Sequence, residues 1–451
     1  MIRKLKWKNH SILGNLELDF TRNDGSIYPT VLIVGENGSG KTTILDSLSE
    51  FLNLGAMTPF DFIEYDVDGT TFRIYYESDN EGQFGFHKRM SFSDDKIESI
   101  RRNKNNDRDG IDRDTKDIRN HGVIYSRARS GFKTNQIKTS SVQQIDNNKF
   151  FVDANDDYTS VKQLIVDLRS QDASKLMELM EKGENPDINA FKLSDSKLYR
   201  FTSAFDQFFE NLRFKKVDND STEEKRVLFE KYNKEISVDD LSTGEKQIVF
   251  RGTQLLRNSK AVNNGIVLID EPELSLHPIW QEKILDYYIN LFEGYGNQLI
   301  LSTHSEYVLK AALKRENEIL VIVLQNENGI VTQKKIIAPI VLPSITFAEI
   351  NNIAFNVYSS DYHIELYGYL QSKAGLDTIK ETDDYIKSSC SFNRLIHTRN
   401  SSYTNPGTGH TCVYSTLPTY IRNAIDHPDN GNVYTDDDLK ISTDLLIELC
   451  R

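Results

Sequence analysis

Cysteine is scarce in this chain. Cys390, Cys412 and Cys450 are the 3 among 451 residues, far apart and without a Cys-x-x-Cys pair. An odd, scattered count excludes a disulfide framework and a cysteine-based zinc site, and it points to a reducing cytoplasm. Long apolar runs are missing too, and charge interrupts the basic start MIRKLKWKNH before any signal-like core forms, so no membrane association is expected. Positive charge is in deficit: 54 Lys and Arg against 67 Asp and Glu give a net charge of -13. That balance excludes indiscriminate coating of nucleic acid. Two local segments run against it, YSRARSGFKTNQIK (Tyr125 to Lys138) and NLRFKK (Asn211 to Lys216). They read either as solvated surface with ion pairs or as a local groove for nucleic acid. A chain that is 38% hydrophobic and 27% charged folds, and at this length it holds two or three domains.

Apolar residues alternate with polar ones through the N-terminus, as in a half-exposed antiparallel sheet. TVLIVG (Thr30 to Gly35) is a short buried strand, and KTTILDSLSEFLNL follows with Ile44, Leu45, Leu48, Phe51 and Leu52 at helical spacing. FIEYDVDGTTFRIYYES reads as a hairpin around Asp68-Gly69. The charged, Asn-rich stretch 93–120 reads as a mobile surface insertion. Residues 159–239 read as a mainly helical insertion, too short for a long coiled-coil arm. GIVLID, QLILST and ILVIVLQ are apolar, β-branched runs separated by helix-like segments, the alternation of a largely parallel α/β sheet. Near 340–345 Tyr, Ser and Asn rise and helical segments take over. NSSYTNPGTGH (Asn400 to His410) reads as a turn-rich loop, and no internal repeat is visible.

GENGSGKT (Gly35 to Thr42) fits the phosphate-loop pattern GxxxxGK[ST] between an expected strand and an expected helix. Its backbone N–H groups, with the helix N-terminus, suit phosphates. Lys41 supplies charge for the β- and γ-phosphates, and Thr42 a hydroxyl for Mg²⁺. Asn37, Gly38, Ser39, Gly40 and Thr43 complete the expected nucleotide contacts. GIVLIDEPELSLHP (Gly265 to Pro278) brings Asp270 and Glu271 to the end of a buried strand. There Asp270 suits the metal and Glu271 suits a general base. QLILSTHSEYVL places His304 at the end of another strand, for contact with the γ-phosphate. LSTGEKQ (Leu241 to Gln247) contains a helix-capping pattern, Ser242 with Glu245.

LSTGEKQ closely resembles the LSGGE[KR]Q signature of ABC-type and SMC-like ATPases, with Thr243 in place of a Gly. Order and spacing of all the motifs fit that class over roughly residues 1–343. The resemblance implies an ATPase head using ATP and Mg²⁺, dimerising so that Ser242 and Gly244 of one copy reach the nucleotide held by the other. The glutamine that in this class normally lies before the insertion is not assigned, with Gln83 and Gln136 as candidates.

SITFAEINNIAF, SSDYHIELYGYLQ and LPTYIRNAIDHPDNGNVYTDDDLKISTDLLIEL resemble the tail of Septu-type anti-phage ATPases, also found beside some retrons. That resemblance implies a scaffold controlling a separately encoded HNH nuclease, with nucleic acid engaged through the complex. The related overcoming-lysogenisation nucleases carry a TOPRIM domain here, but its strand-end Glu and DxD pattern is not found. Arg422-Asn423-x-x-x-His427 matches the Rx4H motif of HEPN-type RNases. The competing reading is a helix end or docking surface: Arg422 and Asp426 pair at i,i+4, and His427 caps the last turn before Pro428. A DNA-clamping repair ATPase is the third alternative. Glu349, Asp361, His363 and Glu365 read as surface or core rather than a metal set. Tyr358, Tyr362, Tyr367 and Tyr369 read as a helix interface rather than base-stacking groups.

The expected fold is therefore α/β: an ABC/SMC-like head over 1–343 with a helical insertion, and a smaller, mainly helical domain over 344–451.

Overall fold

The computed structural model describes residues 1–55, 57–76, 86–101, 114–128, 150–153, 158–194, 196–218, 225–257, 262–337, 339–404, 407, 409 and 411–451. They form two compact units, Met1–Lys335 and Ile336–Arg451. Residues 336–343, expected with the first unit, belong to the second. There the buried Glu349 accepts the backbone N–H groups of Val341 and Leu342 at 2.9 and 3.0 Å.

In chain order the first unit opens with β1 (Ile2–Trp7), β2 (Glu17–Asp19), β3 (Thr30–Gly35) and α1 (Lys41–Leu52). Next come β4 (Phe60–Val67), β5 (Thr70–Tyr75), β6 (Phe86–Ser91), β7 (Ile97–Arg101), β8 (Val123–Ser126) and β9 (Phe150–Asp153). The strands β2-β1-β4-β5-β6-β7 make an antiparallel sheet, with the β4–β5 turn at Asp68-Gly69, both at positive φ. β7 lies inside the stretch expected as a mobile insertion and pairs antiparallel with β6, Ile97 opposite Met90 and Ile100 opposite His87. Residues 102–113 of that stretch lie outside the described residues.

A middle block follows: α2 (Thr159–Glu181), α3 (Ile188–Ser194) and α4 (Lys197–Phe208), then β10 (Leu212–Asp218), β11 (Arg226–Lys231) and β12 (Lys234–Ser237). The expectation of helix up to residue 239 is corrected here. β10-β11-β12 is an antiparallel sheet, and Tyr232 and Asn233 take φ of 51° and 63° in the two-residue turn between β11 and β12. Two successive left-handed residues match the twist of a tight hairpin and cannot continue a helix.

The signature segment is a continuous helical run: α5 (Thr243–Lys246), a π-helical turn (Gln247–Arg251) and α6 (Gly252–Leu256). The unit closes with β13 (Ile266–Asp270), α7 (Pro278–Leu291), β14 (Gln298–Thr303), α8 (Glu306–Leu313), β15 (Ile319–Glu327) and β16 (Ile330–Ile336). The central sheet has the order β16-β15-β3-β14-β13-β8-β9, and every pairing from β15 to β9 is parallel. Helix α1 packs against this sheet through Ile44, Leu45, Leu48, Phe51 and Leu52, all fully buried in one core with Trp7, Phe60 and Ile63. Burying each such side chain contributes about 1.5–3 kcal/mol. This packing fixes the N-terminus of α1 at the carboxyl edge of β3, beside β13 and β14.

The second unit contains α9 (Phe347–Phe355), α10 (Ser360–Ala374), α11 (Ile379–Ser388), β17 (Thr398–Thr404), β18 (Thr411–Thr416), α12 (Leu417–Asp426) and α13 (Asp436–Cys450). It is mainly helical, but the stretch expected as a loop at 400–410 supplies part of the β17–β18 hairpin. Thr and Ser alternate in and out there without a hydrophobic run to announce a strand. Tyr362, Leu366, Tyr367 and Leu370 of α10 bury against Leu445 and Leu446 of α13. Among the described residues no helix is long and apolar enough to cross a membrane.

Candidate active site

Gly35, Gly38 and Gly40 shape the loop between β3 and α1. A Cβ on Gly40, at φ 96°, would stand 2.5 Å from Leu13 Cδ2, and one on Gly35 would stand 2.6 Å from the Leu324 carbonyl oxygen. Gly40 begins α1 without a side-chain cap, and the first turn holds no acid, so its N–H groups remain available to an anion. The Ser39 hydroxyl is buried in the loop without a hydrogen-bond partner among the described residues. Lys41 lies along the inside, only 5% exposed, with Nζ donating to the carbonyls of Gly35 at 2.7 Å and Glu36 at 2.9 Å. Burial pulls its pKa down, opposed by the charges of Glu271, Asp270 and Glu273.

Thr42 Oγ1 donates to Asp270 Oδ2 at 2.9 Å, and the Ser302 hydroxyl donates to Asp270 Oδ1. Burial raises the Asp270 pKa against the effect of those hydroxyls. A hydroxyl and a carboxylate meeting at the helix N-terminus are the hard oxygen donors that suit Mg²⁺. With the free N–H groups and Lys41 beside them, the residues present fit a Mg²⁺-nucleotide.

Glu271 takes φ 45°, in the left-handed region that a non-glycine residue rarely adopts, while its N–H bonds the Ser302 carbonyl at 3.0 Å. Its Oε1 stands 3.3 Å from His304 Nδ1. That contact lowers the Glu271 pKa and raises that of His304. Beside α1 runs an open groove of about 470 Å³, lined among others by His10, Thr43, Asp46, Glu50 and Arg127. A larger cavity of about 510 Å³ lies away from these groups, between α4 and α7.

The structure thus brings Lys41, Thr42, Asp270, Glu271 and His304 to one edge of the central sheet. Ser242 and Gly244 stand elsewhere. Ser242 is exposed at the start of α5 and forms the expected capping box with Glu245, whose carboxylate also pairs with Lys231 at 2.7 Å. Gly244 is buried against the 275–280 segment, where a Cβ would meet the Ser275 carbonyl oxygen at 2.9 Å. No described hydrogen bond or ion pair joins Ser242 or Gly244 to the phosphate loop of the same chain.

Sequence reasoning missed residues behind this edge. Arg251 is fully buried and donates to the carbonyls of Asp270 at 2.7 Å, Glu271 at 3.3 Å, Ser126 at 3.1 Å and Arg127 at 3.3 Å, and to the Ser126 hydroxyl at 2.6 Å. Gln247 donates to the Pro272 carbonyl at 2.6 Å. Gln247 ends LSTGEKQ and opens the π-helical turn that Arg251 closes, so the signature run grips the backbone that carries the acidic pair. Glu273, also missed, accepts from Thr303 Oγ1 at 2.6 Å and from the His304 N–H at 3.0 Å. The doubled acid in DEPE was the available signal for it. The candidate glutamines Gln83 and Gln136 lie outside the described residues. The strand end beside Asp270 on the β8 side carries Ser126 and Arg127.

In the second unit, Arg422 pairs with Asp426 at 2.6 Å and donates to the Asn423 side-chain oxygen at 3.0 Å. The His427 ring instead stacks on Tyr403, centroids 4.8 Å apart, and the His427 backbone N–H donates to the Asn423 carbonyl. Arg422 and His427 are therefore not joined to each other. His363 is buried and bonds the Ser442 hydroxyl, and Glu365 accepts from Thr346. Tyr362 and Tyr367 are core, and Tyr358 bonds Asp444.

Among known proteins, the chain matches the family profile described as "AAA domain, putative AbiEii toxin, Type IV TA system" over residues 31–310. The chain belongs to this AAA-domain family. The matched span contains the phosphate loop, the signature run, the acidic pair and His304, and with them the chain is an ATPase. Its relatives include the "Retron Vc95 probable ATPase" of Vibrio cholerae serotype O1 biovar El Tor, 25% identical over 389 residues, 70% of this chain and 74% of that protein. The Septu protein PtuA of Bacillus thuringiensis is 24% identical over 355 residues, again 70% of this chain and 74% of the relative. Relatives of both names match the resemblance read from the sequence. An Smc head crystallised with the C-terminal winged-helix domain of ScpA aligns over 75% of this chain and 98% of its own, with TM-score 0.39 and 14% identity.

Proposed function

We propose that this AAA-domain ATPase is the ATP-hydrolysing subunit of a cytoplasmic anti-phage complex, dimerising through its heads and regulating a separately encoded nuclease of HNH type. The observation that carries the reading is a separation: Lys41, Thr42, Asp270, Glu271 and His304 share one sheet edge, while the exposed Ser242 at the start of α5 bonds Glu245 and has no described hydrogen bond or ion pair to any of them. A second copy supplies what each phosphate loop lacks.

In this mechanism Asn37, Gly38, Ser39, Gly40 and Thr43 hold the phosphates with backbone N–H groups and hydroxyls, and Lys41 adds charge. Thr42 and Asp270 hold Mg²⁺, which supplies charge neutralisation on the phosphate oxygens. Glu271, its pKa lowered by His304, stays ionised at neutral pH and takes the proton of the attacking water. His304 contacts the γ-phosphate. Ser242 and Gly244 of the partner copy present the N-terminus of α5 to the same phosphate. The Septu and retron relatives support the defence setting, and the second unit is the docking surface for the nuclease.

The test is phage plating on cells carrying this gene with its genomic neighbours. Lys41→Ala and Glu271→Gln are expected to abolish protection while the subunits still co-purify. Full protection by both variants contradicts the reading.

A further inference from the structure

Glu273 is only 3% exposed, and one of its carboxyl oxygens does three jobs. Oε1 accepts from Thr303 Oγ1 at 2.6 Å and from the His304 N–H at 3.0 Å, and it stands 3.7 Å from His304 Nδ1. Oε2 is buried with no hydrogen-bond partner among the described residues. A carboxyl kept only for packing would not leave a buried oxygen unsatisfied, since that costs roughly 1–3 kcal/mol or more.

The geometry points to Glu273 as a positioning residue that acts through His304. The Glu271 and Glu273 carboxyls both lie on the Nδ1 side of the imidazole, at 3.3 and 3.7 Å. That fixes the Nδ1–H tautomer and the ring orientation, and it leaves Nε2, on the opposite side of the ring, for the γ-phosphate. The grip on the His304 N–H fixes the main chain as well. Glu273 is itself anchored, because Gln247 holds the preceding carbonyl of Pro272 at 2.6 Å. Glu273 touches no reacting atom, so it sets the placement of His304 and leaves binding of the nucleotide to the phosphate loop.

This inference rests on the role given to His304, and a double-mutant cycle separates the two. Steady-state hydrolysis of MgATP is measured for the full-length chain as wild type, Glu273→Ala, Glu273→Gln, His304→Ala and Glu273→Ala/His304→Ala, with folding checked by circular dichroism. Glu273→Ala is expected to lower kcat about tenfold with KM within about twofold. Glu273→Gln, whose amide oxygen still accepts both donors, keeps kcat within about threefold. Adding Glu273→Ala to His304→Ala changes kcat less than about twofold. Multiplicative losses in the double variant, or a Gln variant as poor as Ala, overturn the positioning role while His304 keeps its own. Wild-type kcat in His304→Ala removes the role of His304 and this inference with it. Should Glu273→Ala not fold, the Glu273→Gln comparison in both His304 backgrounds decides.

Discussion

The Tyr287 hydroxyl occupies the place where a side chain on Gly252 would begin. It donates to the Ile248 carbonyl at 3.0 Å, and a Cβ on Gly252 would stand 1.9 Å from that oxygen. The Ile248 carbonyl thus accepts twice, from the Gly252 N–H at the end of the π-helical turn and from Tyr287 of α7. The turn in turn aims Gln247 and Arg251 at the backbone of residues 270–272. Gly252→Ala should therefore destabilise the fold by about 1–3 kcal/mol in urea denaturation. Tyr287→Phe, which removes the clashing oxygen, should recover part of that loss in the double variant. Additive losses would show that the two residues do not share this space.

Arg251 provides a second test. Its guanidinium spreads its donors over the carbonyls of neighbouring strand ends. Arg251→Met leaves buried acceptors unpaired and should cost about 2–3 kcal/mol of stability. Arg251→Lys should fail to rescue it, because an ammonium lacks the planar fork of donors. Equal stability of the Lys variant and wild type would contradict the assignment.

The His304–Glu271 pair gives a pH dependence. His304 has a raised pKa in the fold, so its contribution is complete below the unfolded value of 6.5 and fades as pH rises through the raised one. Glu271 has a lowered pKa, so its contribution is present above the unfolded value of 4.5 and fades as pH falls through the lowered one. The stability difference between wild type and His304→Gln should thus be largest between about pH 4.5 and 6.5 and shrink on the alkaline side. Both groups are partly exposed, which keeps the difference below about 1 kcal/mol. Thermal melts from pH 4 to 9 read it.

Arg422 and His427 yield a further expectation. With Arg422 committed to Asp426 and His427 stacked on Tyr403, tRNA incubated with the purified chain and EDTA should stay intact. Cleavage that disappears in His427→Ala would revive the RNase reading.

The parts legible in the sequence were those whose chemistry demands fixed spacing. A phosphate loop needs its glycines and lysine in order, and Ser242 with Glu245 announced its own cap. The helical face of α1 was equally plain, because each of its apolar positions is buried by a sheet. The β10–β12 sheet was hidden because Lys and Glu crowd Leu228 and Phe229, and its turn at Tyr232-Asn233 lacks a glycine. The β17–β18 hairpin was hidden by Thr and Ser. Arg251 and Gln247 escaped for a different reason: nearly all their partners are backbone groups, which no residue pattern displays, whereas Glu273 was signalled only by the second acid of DEPE.

The most direct measurement is the mass of the hydrolysis-deficient Glu271→Gln chain by sedimentation, with and without MgATP, alongside Glu271→Gln/Ser242→Arg. The account predicts that MgATP converts the first to a species at least twice the mass, and that the added arginine abolishes the change. An unchanged mass with ATP, together with normal turnover in Ser242→Arg alone, would contradict a site shared between two copies.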